Sequence, residues 1–126
     1  MHEDALLVLN EVTKTYGTGR NKTVALGSTD LRIYAGEFVA IVGPSGAGKS
    51  TLLNLLGLLD FADNGDYTVG GQPTRGMTAR QVNRLRNEQF GFVFQSNYSF
   101  PHETVAENAT LPLSIRGASM LERRQH

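Results

Sequence analysis

Nine consecutive residues in the first half of the chain have the types and spacing that bind a phosphate group. They are Gly43, Pro44, Ser45, Gly46, Ala47, Gly48, Lys49, Ser50 and Thr51, and the first eight match the pattern G-x-x-x-x-G-K-[ST]. The glycines let the backbone curl until successive N–H groups face one anion, which side chains at those positions would obstruct. The helix expected next would direct its N-terminal dipole at the same anion. The motif predicts nucleotide binding, with Lys49 on the outer phosphates.

The residue after the lysine predicts a metal contact as well. The Ser50 hydroxyl can ligate the Mg²⁺ that accompanies a nucleotide. Other metal chemistry is not indicated, because the chain has no cysteine and its three histidines (His2, His102 and His126) are scattered. The nucleotide and Mg²⁺ are therefore the expected cofactors.

Composition and charge exclude several classes of protein. Of the 126 residues, 40% are hydrophobic and 19% charged, which is typical of a globular chain. Twelve Lys and Arg balance twelve Asp and Glu, so no net field attracts nucleic acid. The N-terminal MHEDALLVLN has acidic residues where a signal peptide needs positive charge, which favours a cytoplasmic location. The longest apolar stretch is too short to span a bilayer, so we expect membrane contact only through a partner.

The predicted elements place the phosphate-binding residues between a strand and a helix. Residues 6–13 and 29–34 read as strands, and the second alternates cleanly between apolar and polar residues, as a half-buried antiparallel strand does. The apolar run 38–42 suits a strand buried on both faces of a parallel sheet. Residues 49–59 are apolar nearly all round, which predicts a buried helix.

The second half of the chain gives weaker signals. A short edge strand is expected over residues 66–71, ending in a Gly-Gly turn, and a further strand over 90–94. Two capping boxes, Thr78 with Gln81 and Thr104 with Glu107, each predict the start of a helix. In the first helix, which should run to about residue 87, Val82 and Leu85 face inward, and the arginines form a solvated face: Arg80, Arg84 and Arg86. Pro112 should end or kink the second helix. No repeat or linker is evident, so we predict one domain.

The residues around the loop resemble the ABC ATPase family, from about Leu6 to the last residue. The stretch LRIYAGEFVAIVGPSGAGKSTLLNLLGLLD is similar to the family's antiparallel subdomain running into its phosphate-binding loop. LRNEQFGFVFQ followed by TVAENATLPL most resembles the ATPases of lipoprotein-release and macrolide or peptide export systems. Ser99-Phe100-Pro101 departs from that subfamily, whose members tend to have two leucines before the proline. The resemblance implies an α/β P-loop NTPase fold, with an antiparallel β subdomain and the start of a parallel-sheet core.

The resemblance also implies roles for two residues outside the loop. Tyr16, in VTKTYG, matches an aromatic residue that stacks on adenine, and Gln95, in FGFVFQ, matches a glutamine that contacts Mg²⁺ and links the nucleotide site to the membrane subunit. Without the resemblance, Tyr16 would be an ordinary strand aromatic and Gln95 a polar residue at a strand end. The implied ligand is ATP. The implied partners are a transmembrane permease subunit and a second ATPase subunit arranged head to tail, on the cytoplasmic face of the membrane.

The family's catalytic parts are not found in these 126 residues. An ABC ATPase needs an apolar strand ending in Asp-Glu, an LSGGQ signature loop and a switch histidine, and His102 comes too early to be that histidine. Residues 55–60 imitate the first, but Asp60 precedes Phe61 and lies roughly 15 Å from Lys49 along a helix, at ~1.5 Å per residue. Residues 69–72 imitate the signature but precede Gln95. We therefore predict no catalytic residue.

Three interpretations remain at this point. The first is a truncated ABC ATPase domain over residues 1–126 that binds MgATP without hydrolysing it and, when complete, powers a permease for export or lipoprotein release. The second is a stand-alone nucleotide-binding regulatory module. The third is a different P-loop enzyme, such as a small kinase, although the catalytic residues it would need cannot be placed.

Overall fold

The chain divides at Thr78 into two units, a sheet unit (residues 1–78) and a helical unit (residues 79–126). The structure is a computed structural model that describes residues 5–96, 98–115, 117 and 122. Within these described residues, no helix combines the length and the apolar character that crossing a membrane requires.

Four antiparallel strands form the sheet of the part of this unit that the structure describes. They are β1 (Leu7–Tyr16), β2 (Thr23–Ile33), β3 (Asn64–Val69) and β4 (Gln72–Pro73), in the spatial order β2-β1-β3-β4. The two predicted strands at 6–13 and 29–34 are confirmed, and both are longer than their patterns indicated. The prediction of an edge strand at 66–71 is wrong in its position, because β3 pairs on both sides and β4 forms the edge. Gly70 and Gly71 make the turn between these two strands, both with positive φ.

A bulge in β1 requires a glycine at the adjacent position of β3. The register of β1 against β2 shifts between Leu9 and Val12, and the intervening Glu11 has a φ of 49° while its N–H donates to Asp30 Oδ1 at 2.8 Å. On the neighbouring strand, Gly65 has a φ of 83°, and a Cβ there would overlap the Glu11 carbonyl group. Only glycine fits a position that combines a left-handed backbone with so close an approach.

The helix α1 (Lys49–Leu56) packs its C-terminal end into the core. The predicted helix over 49–59 is confirmed but ends three residues early, at Leu56, with Gly57 as its C-cap. It is not buried all round, because Leu53 is exposed. The buried apolar residues of this unit come from the strands, from the end of α1 and from Leu58: Leu9, Val12, Leu26, Leu55, Leu56, Leu58, Tyr67 and Val69. The Tyr67 hydroxyl donates to the Leu56 carbonyl oxygen at 2.6 Å, and burial raises the pKa of this phenol. That bond satisfies the buried hydroxyl and ties β3 to the end of α1.

The apolar run 38–42 is not a strand of this sheet. No ladder of the described residues includes it, and its side chains are solvent-exposed at Phe38 (96%) and Val42 (86%). The prediction of a strand buried on both faces is therefore wrong for the described chain. A parallel strand exists only through its neighbours' N–H and C=O groups, and none of the described residues supplies them here.

The described residues of the helical unit include the helices α2 (Ala79–Gln89), α3 (Val105–Ala109) and α4 (Leu111–Ile115). Val82 and Leu85 are buried, as predicted, whereas Arg84 lies on the exposed face and pairs with Glu88 at 2.7 Å. The capping box at the start of α3 is confirmed, since Thr104 Oγ1 accepts from the Glu107 N–H and Glu107 Oε2 accepts from the Thr104 N–H. Pro112 lies in the first turn of α4, directly after α3 ends, where its missing N–H costs no helical bond.

The predicted strand over 90–94 is also absent from the described residues. Instead, the rings of Phe90, Phe92 and Phe94 stack in sequence, with centroids 6.4 Å and 5.6 Å apart, and Phe94 meets Tyr98 edge-on at 5.2 Å. Alternate side chains thus share one face, as they would in a strand, while Val93 is fully exposed. The alternation is local and is present, whereas the pairing that defines a strand is non-local and is missing.

Gly65→Ala should lower the free energy of unfolding by about 1–3 kcal/mol, because it forces a left-handed backbone on a residue with a Cβ and pushes that Cβ against Glu11. The matched control is Gly27→Ala on β2, where an added Cβ meets nothing within 4 Å and φ is not positive. Urea unfolding monitored by circular dichroism compares the two. Equal midpoints for both variants would contradict this account of the bulge.

Candidate functional site

The loop of residues 43–51 has the backbone geometry of an anion cradle. Gly46 and Gly48 have φ of 79° and 90°, and a Cβ on Gly48 would overlap the Ala25 carbonyl oxygen of β2. The Ala47 N–H donates to the Pro44 carbonyl oxygen at 3.2 Å, which closes the turn. Helix α1 then begins at Lys49 with Gly48 as its N-cap and without a side-chain cap. The N–H groups of its first turn are therefore free of side-chain acceptors and can bind an anion.

The Lys49 ammonium lies at the mouth of this loop. Its Nζ donates to the carbonyl oxygens of Gly43 and Pro44 at 2.7 Å and 2.6 Å. The adjacent Ser50 is exposed, and none of the described residues hydrogen-bonds its hydroxyl. The predicted phosphate contact and the predicted Mg²⁺ ligand are thus neighbours, and both are accessible to a ligand.

Tyr16 lies close to the last residue of the loop. It ends β1 and its side chain is about half exposed. A hydrogen bond to Asp60 raises the pKa of the Tyr16 phenol, and a hydrogen bond with the nearby Thr51 side chain opposes part of that rise. The structure therefore brings together the residue predicted to contact the base and the residues predicted to bind phosphates. Such a pair of features can hold the two ends of one nucleotide.

Tyr16 and three neighbouring residues form a compact polar cluster that the sequence analysis did not predict. In this Asp60 cluster (Lys14, Tyr16, Asp60 and Asp63), the Tyr16 hydroxyl donates to Asp60 Oδ2 at 2.6 Å and Lys14 Nζ donates to Asp60 Oδ1 at 2.9 Å. Asp63 Oδ1 lies 3.7 Å from Lys14 Nζ, and that ammonium lies 5.2 Å from the centre of the Tyr16 ring. Each group in the cluster has an oppositely charged or hydrogen-bonding neighbour.

The pKa shifts in the cluster follow from these contacts. The hydrogen bond to Asp60 raises the pKa of the Tyr16 phenol, because the carboxylate stabilises the protonated hydroxyl. Partial burial alone would raise the pKa of Asp60, but the hydrogen bonds from Tyr16 and Lys14 outweigh it and leave that pKa lowered. Burial would likewise lower the pKa of Lys14, but the hydrogen bond and charge of Asp60 raise it. At neutral pH the cluster is therefore an ion pair with a neutral tyrosine.

Gln95 belongs to the helical unit, where its side chain is exposed directly after the stacked phenylalanines. Its role as a Mg²⁺ contact stays a prediction. The two segments that resemble catalytic motifs have other structural roles. Asp60 is hydrogen-bonded by Lys14 and Tyr16, and residues 69–72 form the β3–β4 hairpin. His102 lies in an exposed turn of the helical unit.

A cleft of about 400 Å³ in the sheet unit does not coincide with the phosphate-binding loop. Its lining includes apolar side chains of β1, β3 and the end of α1 together with a few charged groups, among them Leu9, Val12, Leu58, Tyr67, Asp60 and Arg75. No residue of 43–51 contributes to it. The chemistry of the anion cradle lies on the loop and the helix N-terminus, so we place the candidate site there.

Comparison with known proteins identifies relatives over nearly the whole chain. A sequence model of the family described as "ABC transporter" matches residues 26–126. The chain is 46% identical over 120 residues to a macrolide export ATP-binding/permease protein, MacB, of Burkholderia pseudomallei (strain 1710b), covering 95% of this chain and 18% of that protein. MacB of Pasteurella multocida (strain Pm70) is 45% identical over 124 residues, covering 98% and 19%. The chain thus spans less than a fifth of these relatives.

Solved structures show the same likeness. A dimeric, post-hydrolysis structure of the ATP-binding cassette MJ0796 bound to ADP and Pi matches with a TM-score of 0.85 at 42% identity, covering 94% of this chain and 53% of that one. Another dimeric structure of MJ0796, a bacterial ABC transporter cassette, matches with the same score at 39% identity. The predicted fold class, the N-terminal part of an ABC-type P-loop ATPase, is confirmed.

Asp60→Asn should lower stability at neutral pH and have little effect in acid. Because the folded-state pKa of Asp60 lies below the ordinary value of 3.8, the folded protein binds fewer protons than the unfolded chain as the pH falls. The stabilisation is thus complete well above 3.8 and is lost as the pH falls through the folded-state pKa. Urea unfolding at about pH 7 and about pH 2 tests this.

The matched control is Asp66→Asn, whose ion pair with Arg75 is exposed on both sides and should contribute little at either pH. A destabilisation by Asp60→Asn that is as large in acid as at neutral pH would contradict the assignment of a charged Asp60.

Proposed function

The chain belongs to the ABC transporter family, and from that premise we propose that it binds MgATP to power a transmembrane permease. The contact that carries this proposal is the position of the Lys49 ammonium on the Gly43 and Pro44 carbonyl groups, at the N-terminus of α1. The lysine charge thus lies on the loop that leads into the first turn of α1, whose N-terminus has no side-chain cap. An anion of high charge, such as a triphosphate, is the ligand that this combination favours.

Different observations support the proposed binding of the base and of the metal ion. Tyr16 presents a half-exposed ring beside Thr51, which supports stacking of adenine next to the phosphates. The exposed Ser50 hydroxyl fits a Mg²⁺ ligand. No group of three or more His, Cys, Asp or Glu side chains that could hold a metal ion occurs among the described residues. Ser50 is the Mg²⁺ ligand that we propose in the sheet unit, and Gln95 stays a predicted contact. When bound, Mg²⁺ neutralises phosphate charge.

The partners are proposed from the relatives. The name of the MacB proteins joins ATP binding to a permease for macrolide export, which supports a permease as the working partner here and export or lipoprotein release as the direction. The MJ0796 cassette is dimeric, which supports a head-to-tail pair of ATP-binding domains. With those partners the chain would work at the cytoplasmic face of the membrane.

We also propose that this 126-residue chain binds ATP without hydrolysing it. The sequence contains no apolar strand that ends in Asp-Glu, and the one carboxylate that follows an apolar run, Asp60, is engaged by Lys14 and Tyr16. Phosphoryl transfer to water needs a group that orients the water and charges that stabilise the transition state. The phosphate-binding loop supplies the stabilising charge, but we identify no residue that would orient the water.

Lys49→Ala should reduce the affinity for a fluorescent ATP analogue at least 100-fold, because the phosphates lose a full charge at hydrogen-bond distance, a loss of about 3 kcal/mol. Fluorescence anisotropy measures the affinity of the purified chain. Lys22→Ala is the matched control, since it removes the same charge from an exposed loop. Unchanged affinity of the Lys49 variant would overturn the nucleotide assignment.

The purified chain should release no phosphate from MgATP above the buffer background. A coupled phosphate assay on the chain and on Lys49→Ala distinguishes its own activity from a contaminant. Release that is abolished by Lys49→Ala would show that the chain contains a catalytic group and would contradict binding without turnover.

A further inference from the structure

We propose that Asp60 is a positioning residue that holds the Tyr16 ring in place for the nucleotide base, and that Lys14 in turn holds Asp60. This inference rests on the proposed nucleotide-binding function. It assigns a role to two residues outside the phosphate-binding loop that share no sequence motif with it.

The two oxygens of the Asp60 carboxylate have different partners. Oδ2 accepts from the Tyr16 hydroxyl at 2.6 Å, the length of a hydrogen bond to a charged acceptor, and Oδ1 accepts from Lys14 Nζ at 2.9 Å. A carboxylate bound at both oxygens cannot rotate without breaking a bond. The hydroxyl end of the Tyr16 ring is thus attached to a fixed point.

The segment that carries Asp60 is itself fastened to β1. The Asp63 N–H donates to the Thr13 carbonyl oxygen at 2.9 Å, and Asp63 Oδ2 accepts from the Thr15 N–H at 2.7 Å. Lys14 Nζ also donates to the Phe61 carbonyl oxygen at 2.7 Å. The loop between α1 and β3 therefore follows β1 up to the strand's end, and it carries Asp60 as part of a fixed frame.

This fixation matters because Tyr16 is at the exposed end of a strand. An aromatic side chain there would exchange rotamers freely, and a ligand that stacks on it would have to order it first. The bond to Asp60 orders the ring before the ligand arrives, beside Thr51 at the end of the loop. The expected benefit is to affinity for the base and not for the phosphates.

A structural role alone makes a different prediction. If Asp60 only joined the loop to the sheet, its removal would change stability and would affect all ligands of the chain alike. If it positions Tyr16, its removal lowers the affinity for ligands that have a base and does not change the affinity for ligands that have none. Isothermal titration calorimetry of the full 126-residue chain with MgATP and with magnesium tripolyphosphate, which has no base, separates the two.

Three single substitutions and one double variant distinguish the two roles. Asp60→Ala and Tyr16→Phe should each lower the affinity for MgATP by roughly 5-fold, which is the contribution of one ordering hydrogen bond. Neither should change the affinity for tripolyphosphate. Asp60→Asn keeps an acceptor oxygen for the Tyr16 hydroxyl and should retain most of the affinity. In the Tyr16→Phe background, Asp60→Ala should have no further effect, because the two changes break the same bond.

Asp66→Ala is the matched control, since it removes an exposed carboxylate of the same unit and should change neither affinity. Tyr16→Phe leaves the Lys14–Asp60 ion pair intact, so it tests the proposal even if Asp60→Ala fails to fold. Unchanged MgATP affinity in Tyr16→Phe, or equal losses for both ligands in a folded Asp60→Ala, would overturn the positioning role. Lys49→Ala tests the proposed function separately: if it leaves both ligands unaffected, nucleotide binding itself is wrong.

Discussion

The site depends on how closely the backbone at Gly48 approaches β2. A side chain at that position would overlap the Ala25 carbonyl group, and the φ of 90° is one that only glycine adopts readily. Because the chain passes there without a side chain, α1 can begin directly against the sheet, with its first-turn N–H groups uncapped. The same contact sets the distance between the loop and β1, whose last residue, Tyr16, pairs with Thr23 of β2. The phosphate and base contacts are thus placed by one packing constraint.

A second constraint acts through charge. Lys14 is mostly buried, and an unpaired ammonium there would be costly, so the neighbouring carboxylates Asp60 and Asp63 are what make its position tolerable. The pairing of Lys14 with these carboxylates holds the loop after α1 against β1. Its consequence for the site is indirect, because the carboxylate that neutralises Lys14 also accepts the Tyr16 hydroxyl. Packing of the sheet and orientation of the candidate base contact therefore share one group.

The comparison of sequence and structure separates local from non-local information. The helices α1 and α2 and the Thr104 capping box are predicted from the sequence because each depends on neighbouring residues. The strands at 38–42 and 90–94 were predicted from apolarity alone, yet a strand depends on partners elsewhere in the chain, and the described residues offer none. The sequence indicates no role for Asp60, because the apolar run that it ends continues with Phe61 and not with a glutamate. Its bond to Lys14 joins residues 46 positions apart, which no spacing rule could have indicated.

The two halves of the candidate site differ in how they would respond to a nucleotide. Lys49 already makes two hydrogen bonds to neutral carbonyl groups, so binding a phosphate exchanges these for ion pairs with a charged acceptor and gains only the difference. Tyr16 loses no partner on stacking, because its hydroxyl can keep Asp60 while its exposed face meets the base. The loop therefore reorganises and the aromatic contact does not. The charge of the phosphates would then supply most of the affinity, and the pre-ordered ring would favour ligands that carry a base.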